Sequence, residues 1–171
     1  ADSLESLKVV KNKWWFTFGI VNVVGSSIAR LSDLWLYTHS WREVWVAATK
    51  SFIGQIWVLL IMALYLWNKK DLEYTKYKEI LAAMKHLRDD VSLVLLESKK
   101  IQAIAKKYAK YKDMFFLWRN IHYPMAMEWS LKCKEITYNH TEAYSAWELK
   151  HWPLSLIEPS FPTILINPEW K

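Results

Sequence analysis

The feature that most constrains this chain is an uncharged apolar run. From Ser51 to Trp67 it reads SFIGQIWVLLIMALYLW, and no charge falls between Lys50 and Lys69. A helix rises about 1.5 Å per residue, so the run is about 26 Å long. Extended back to Val44 it reaches about 36 Å, against a bilayer hydrocarbon layer of about 30 Å. Trp45 near one end, with Tyr65 and Trp67 at the other, are placed as interface anchors. Lys50 lies one turn inside the longer span, where its stem can carry the ammonium to the headgroups. A buried core helix is the competing reading, but a helix this apolar needs a large shell around it. The run therefore predicts a transmembrane helix over 44–67.

Composition points the same way. Hydrophobic residues make up 53% of the 171, with 12 Trp, 9 Tyr and 6 Phe, and only 3 Gly are present to make tight turns. The formal net charge is +6, from 23 basic and 17 acidic residues, which suits nucleic acid, anionic lipid or an acidic partner. The aromatic load favours lipid. One cysteine, Cys133, allows no internal disulfide and reads as a small buried apolar residue. The chain starts at Ala1 rather than Met, as after loss of a presequence, for which a mitochondrial one is the natural candidate, or after simple Met removal.

Four zones follow. Residues 1–13 form a polar tail with Lys8, Lys11 and Lys13. Residues 14–67 form the membrane region, in which 14–36 is a second candidate span beside 44–67. Residues 68–121 read as one long charged amphipathic helix, and residues 122–171 as a short helix followed by an extended Pro-rich arm. Trp14 to Ala29 is uncharged, although Arg30 and Asp33 would need partners in a longer tilted span. Small residues, among them Gly19, Gly25 and Gly54, would let the two spans approach as a hairpin. Lysines outnumber the charges of the turn on the side of the two ends, which places both termini on the matrix or cytoplasmic side.

From Asp71 to about Ile121 there is neither Pro nor Gly, and good helix formers dominate. Ile80, Leu87, Val94, Ile101, Tyr108 and Phe115 recur every seven residues and form one narrow apolar stripe. A straight helix of that length cannot bury the stripe on its own chain, so a partner helix is expected, or a break near Arg88–Asp90. The basic-aromatic segment 106–120 reads as a solvated face or a headgroup contact before nucleic acid. Four prolines interleave with apolar residues between His151 and Lys171, the pattern of an arm lying in another protein's groove.

No phosphate loop, GxGxxG, HExxH or CxxC occurs, and the five His are dispersed. His140, Glu142 and His151 are close in sequence, but their spacing fits no metal motif. Asp89, Asp90 and Glu97 read as solvated carboxylates. The sequon Asn139-His140-Thr141 reads as a chance match.

In layout, residues 14–121 resemble the peripheral-stalk b subunit of ATP synthases, with accessory subunits of respiratory complexes fitting equally well. The resemblance implies a non-catalytic structural subunit of a mitochondrial inner-membrane energy-converting complex. The fold class expected is thus an all-α membrane protein. Interface anchors would be Trp14, Trp15, Trp35, Trp41, Trp45, Tyr65 and Trp67. Headgroup contacts would be Lys13, Arg30, Arg42, Lys50, Lys69 and Lys70. The expected partners are other subunits of a membrane complex and anionic lipid, with no nucleic acid and no small-molecule substrate. No catalytic, metal or cofactor residue is expected, only a bound phospholipid. A stand-alone membrane-tethered coiled-coil adaptor and a basic helical nucleic-acid binder are the other two classes.

Overall fold

The computed structural model describes residues 2–68 and 73–166. The chain divides into two compact units, Ala1–His86 and Leu87–Lys171.

The first unit opens with helix α1 (Asp2–Asn12), strand β1 (Phe18–Val21), the short helix α2 (Ser27–Leu31) and strand β2 (Leu34–Tyr37). β1 and β2 pair in parallel, Phe18 opposite Leu34 and Val21 opposite Tyr37. Parallel neighbours need a crossover rather than a hairpin, and α2 supplies it. α2 starts where the Ser26 hydroxyl accepts the Ala29 N–H at 3.3 Å. Asp33 then ties three segments together. Its carboxylate accepts from the Thr17 N–H (2.8 Å), the Thr17 hydroxyl (2.6 Å) and the Lys11 ammonium (2.7 Å). Those bonds, Lys11 first, hold its pKa well below the ordinary carboxylate range.

Helix α3 (Lys50–Asn68) begins at a second carboxylate. Glu43 accepts from the backbone N–H groups of Thr49 (2.6 Å), Lys50 (2.9 Å) and Ser51 (3.3 Å), and from the Ser51 hydroxyl. The Ser51 hydroxyl, together with these orphan donors of a helix start, lowers its pKa to about 2. α3 lies over the β1–β2 ribbon. Phe16, Phe18, Leu34 and Leu36 face Ile61, Met62, Tyr65 and Leu66 across an apolar recess of about 500 Å³. Gly54 permits close approach to the chain after β2. A Cβ there would stand 2.2 Å from the Ser40 hydroxyl and 3.1 Å from Thr38 Cβ.

Helix α4 (Tyr74–Leu96) crosses the division between the units. Helix α5 (Ser98–Tyr108) follows after one turn. In the second unit, strand β3 (Asp113–Trp118) precedes helix α6 (Tyr123–Thr137) and strand β4 (His140–Ser145). Strand β5 (Thr163–Leu165) comes last. The sheet order is β4-β3-β5, all parallel. Asp113 is opposite His140, Trp118 opposite Ser145 and Phe115 opposite Thr163.

β3 is covered on both faces, as a central parallel strand must be. Met114, Phe116 and Trp118 pack with Ala126 and with Met125, Cys133 and Ala143. Phe115 is fully buried, its ring 5.2 Å from that of Tyr144 and 4.5 Å from that of Phe161. Pro124 starts α6 without forfeiting a helix bond, and Tyr138 ends it in the left-handed region at φ 57°.

The architecture is therefore α/β with parallel sheets, and the expected all-α membrane fold is corrected. Lys50–Trp67 does meet the length and composition of a membrane span. In this α/β chain it is a helix laid on the parallel ribbon, with Leu64 buried and Ile61, Met62, Tyr65 and Leu66 lining the recess between them. The candidate span 14–36 holds β1 and α2. The expected long helix is two, α4 and α5, separated at Glu97 rather than near Arg88–Asp90, and after Tyr108 the chain becomes a strand where MFFLW replaces helix formers with bulky β-formers. The Pro-rich arm supplies β5, which pairs with this chain's own β3.

Candidate active site

α6 leaves the carboxyl end of β3, the end of a parallel sheet at which α/β proteins place their ligands. Three of its four charged residues fall at i, i+4 and i+7, so Glu128, Lys132 and Glu135 share one face. The Lys132 ammonium donates to Glu135 at 2.6 Å and lies 3.4 Å from Glu128. The three side chains are only 18–25% exposed, unusual for two carboxylates and an ammonium. The hydrogen bond to Glu135, with the nearby Glu128 charge, pushes the Lys132 pKa up, so the group stays cationic. A carboxylate in such a group can take a proton from carbon, and the ammonium beside it can stabilise a nascent negative oxygen.

Against the sheet side of α6 lies a buried neutral pair. The Thr141 hydroxyl donates to the Ser130 carbonyl at 2.7 Å, and the Ser130 hydroxyl donates to the Thr141 carbonyl at 2.9 Å. Both residues are within 3% of full burial.

A second polar group follows β4. His140 Nδ1 is 3.1 Å from Asp113, its register partner, and Nε2 is 3.5 Å from Glu142. The Tyr144 hydroxyl donates to Glu142, which raises its pKa to about 12. At the carboxyl ends of the strands, Arg119 stacks 4.4 Å over the Trp147 ring, and Trp118 stacks on His122 at 5.3 Å. Among the described residues, no group of three His, Cys, Asp or Glu is arranged to hold a metal ion.

The residues singled out from the sequence lie elsewhere. Trp14 and Trp15 are exposed between α1 and β1 with Lys13. Trp41, Arg42 and Trp45 are exposed between β2 and α3. Trp35 lies on β2, and Tyr65 lines the apolar recess, with Trp67 near the end of α3. Arg30, on α2, donates to the Gly25 carbonyl and the Ser27 hydroxyl. Lys50 starts α3 and donates to the Arg42 carbonyl at 3.2 Å. Lys69 and Lys70 lie outside the described residues. The stripe divides among three elements. Ile80, Leu87 and Val94 are on α4, Ile101 and Tyr108 on α5, and Phe115 is buried in β3. Sequence reasoning misses the triad itself, although the spacing Glu-x₃-Lys-x₂-Glu over 128–135 is a one-face helical pattern.

No family model matches the chain. It is 39% identical over 169 residues to glutamine–fructose-6-phosphate aminotransferase [isomerizing] of Aquifex aeolicus, which covers 99% of the chain and 27% of that enzyme. It is 41% identical over 171 residues to the enzyme of that name from Pyrococcus horikoshii, 100% of the chain and 28% of the enzyme. Among solved structures, it matches the C-terminal domain of glucosamine-fructose-6-phosphate aminotransferase from Francisella tularensis with a TM-score of 0.94 and 34% identity. That match covers 99% of this chain and 49% of the other. A glucosamine-6-phosphate deaminase from Thermotoga maritima shares the fold at TM-score 0.68 and 23% identity, covering 95% of this chain and 46% of its own. The chain thus spans little more than a quarter of the curated relatives and about half of these structures.

These likenesses correct four further expectations. A mitochondrial energy-converting subunit is overturned, because the relatives are enzymes of sugar-phosphate metabolism. The inner-membrane location falls with it, since the relatives come from bacteria and an archaeon, which have no mitochondria. The expectation of no enzymatic role is overturned by relatives that are named as enzymes, and that of no small-molecule substrate by relatives named for sugar phosphates. The stalk-subunit resemblance rests on an apolar helix followed by a charged one. An α/β chain presents that same order when a sheet-covering helix precedes exposed ones.

Proposed function

We propose that this chain is the sugar-phosphate-isomerising part of an enzyme that acts on a phosphorylated hexose such as fructose 6-phosphate. The reading is carried by one observation. A chain that is 39–41% identical along its length to isomerising aminotransferases also holds two carboxylates and an ammonium, mostly shielded, on the helix after its central strand. Ketose–aldose isomerisation breaks a C–H bond beside the carbonyl and returns a proton to the neighbouring carbon. A carboxylate of the Glu128–Lys132–Glu135 group is the proton carrier. The Lys132 ammonium stabilises the negative oxygen of the enediolate between the two steps, in a site where partial exclusion of water strengthens that charge.

The test is exchange of deuterium from D₂O into carbon 1 of fructose 6-phosphate, followed by NMR. The intact chain is expected to catalyse it. At least one of Glu128→Gln and Glu135→Gln is expected to slow it by roughly 10²–10⁴-fold, the usual scale for losing a general base. No exchange by the unaltered chain, or both variants within about threefold of it, would remove the proposal.

A further inference from the structure

We infer that the reciprocal Ser130–Thr141 pair is the positioning element of the α6 triad: two buried hydroxyls, each donating to the other's backbone carbonyl, set the rotation of α6 on β4. The inference rests on the isomerase reading for its catalytic consequence, and on geometry alone for its structural one.

Successive residues turn about 100° round a helix, so Glu128, Lys132 and Glu135 lie about 140–200° from Ser130. The pair therefore grips α6 on the face opposite the triad, and fixing one face fixes the other. Apolar contacts do little of this, because burial of hydrocarbon is non-directional. Hydrogen bonds are directional and fail within a few tenths of an ångström and some tens of degrees. Ser130 is 3% exposed and Thr141 is fully buried, so water cannot substitute for a missed partner. Both hydroxyls are satisfied, at 2.7 and 2.9 Å, in the observed register. A slipped or rotated α6 would leave two buried donors orphaned, whereas methyl groups at these two positions would tolerate it. Thr141 also lies between His140 and Glu142 on β4, so the strand residue that grips α6 is flanked by two members of the group that His140 forms with Glu142 and with Asp113 of β3.

The decisive variant is S130A/T141V. It deletes both donors together and leaves no hydroxyl buried without a partner, so the chain is expected to fold. With α6 free to rotate, the triad meets water, and the Lys132 ammonium, followed by NMR through its side-chain signals, is expected to titrate at lower pH than in the unaltered chain. The kcat of the exchange reaction is expected to fall on the order of tenfold to a hundredfold with KM held within about twofold, as misplacement of a catalytic group predicts. T141S keeps the hydroxyl and is expected to match the unaltered chain in both readouts. An unchanged Lys132 titration in the double variant would overturn the inference, and so would T141S changing as much as the double variant. If the double variant does not fold, T141S and S130A are read in its place. A Lys132 titration shifted in S130A but not in T141S supports the grip, and any other pattern overturns it. If the unaltered chain catalyses no exchange, the isomerase reading fails while the NMR arm still decides the positioning role.

Discussion

The two units bury their strands differently. β3 in the second unit is sandwiched, with Phe115 fully buried and Met114 to Trp118 all within 8% of full burial. β2 in the first unit leaves Leu34, Trp35 and Leu36 42–51% exposed, although it is just as apolar. Their carboxylates differ as well. Asp33 and Glu43 accept mainly backbone and hydroxyl donors and hold segments of the first unit together. Glu128 and Glu135 share a side-chain ammonium on one helix face. Glu43, taken up by the donors of a helix start, is committed to structure, as is Asp33 between Thr17 and the Lys11 ammonium. The apolar content of a strand does not tell how much of it is covered, because that depends on layers the strand does not encode.

Truncating the two strands alike gives the sharpest break of this comparison. Phe115→Ala is expected to cost about 3–5 kcal/mol, since it opens a cavity at a fully buried site. Leu36→Ala, at a position 44% exposed, is expected to cost about 1 kcal/mol. Denaturant unfolding measures both, and equal losses would show β2 to be as enclosed as β3.

Acid titration separates the carboxylates next. Glu43 is lowered from its ordinary 4.5 to about 2, and Asp33 is lowered from 3.8. A depressed pKa adds stability that is complete above the unfolded value and is lost as pH falls toward the folded one. Thermal melts between about pH 5 and about pH 2 should therefore fall steadily, and Glu43→Gln with Asp33→Asn should flatten that slope. A slope that survives both substitutions would assign the loss to other groups.

The smallest expected effect is at the alkaline end. Tyr144 is raised from 10.0 to about 12 by its bond to Glu142. A raised pKa adds stability that is complete below 10 and fades as pH climbs through 12. Tyr144→Phe should remove that part of the alkaline decline, read as the difference in melting temperature between about pH 9 and about pH 11.5. An unchanged decline would mean that the Glu142 bond does not hold the phenol.

Several elements are legible in the order of residues alone. The helix from Lys50 to Trp67 shows as an uncharged run, and the helical residues 74–108 as a stretch without Pro or Gly. The strand at 113–118 is hidden, because six residues cannot distinguish a two-residue period from the end of a seven-residue repeat, and Phe115 satisfies both. β1 and β2 are hidden for a related reason, since four-residue strands inside an apolar stretch carry no alternation. Of the candidate site, the spacing of Glu128, Lys132 and Glu135 is readable as one helix face. That the face is partly shielded is not, because exposure depends on the tertiary surroundings of α6 rather than on its own residues.

By itself the sequence determined local periodicity and the apolar content of each segment. These depend on neighbours within a few residues of each other. Only the tertiary structure decided that α3 covers a ribbon of parallel strands, that the proline-rich end returns to pair with β3, and that one charged face of α6 is partly withdrawn from water. Each of those outcomes joins segments far apart in the chain, and an apolar side chain carries no mark of whether lipid or its own strands will cover it.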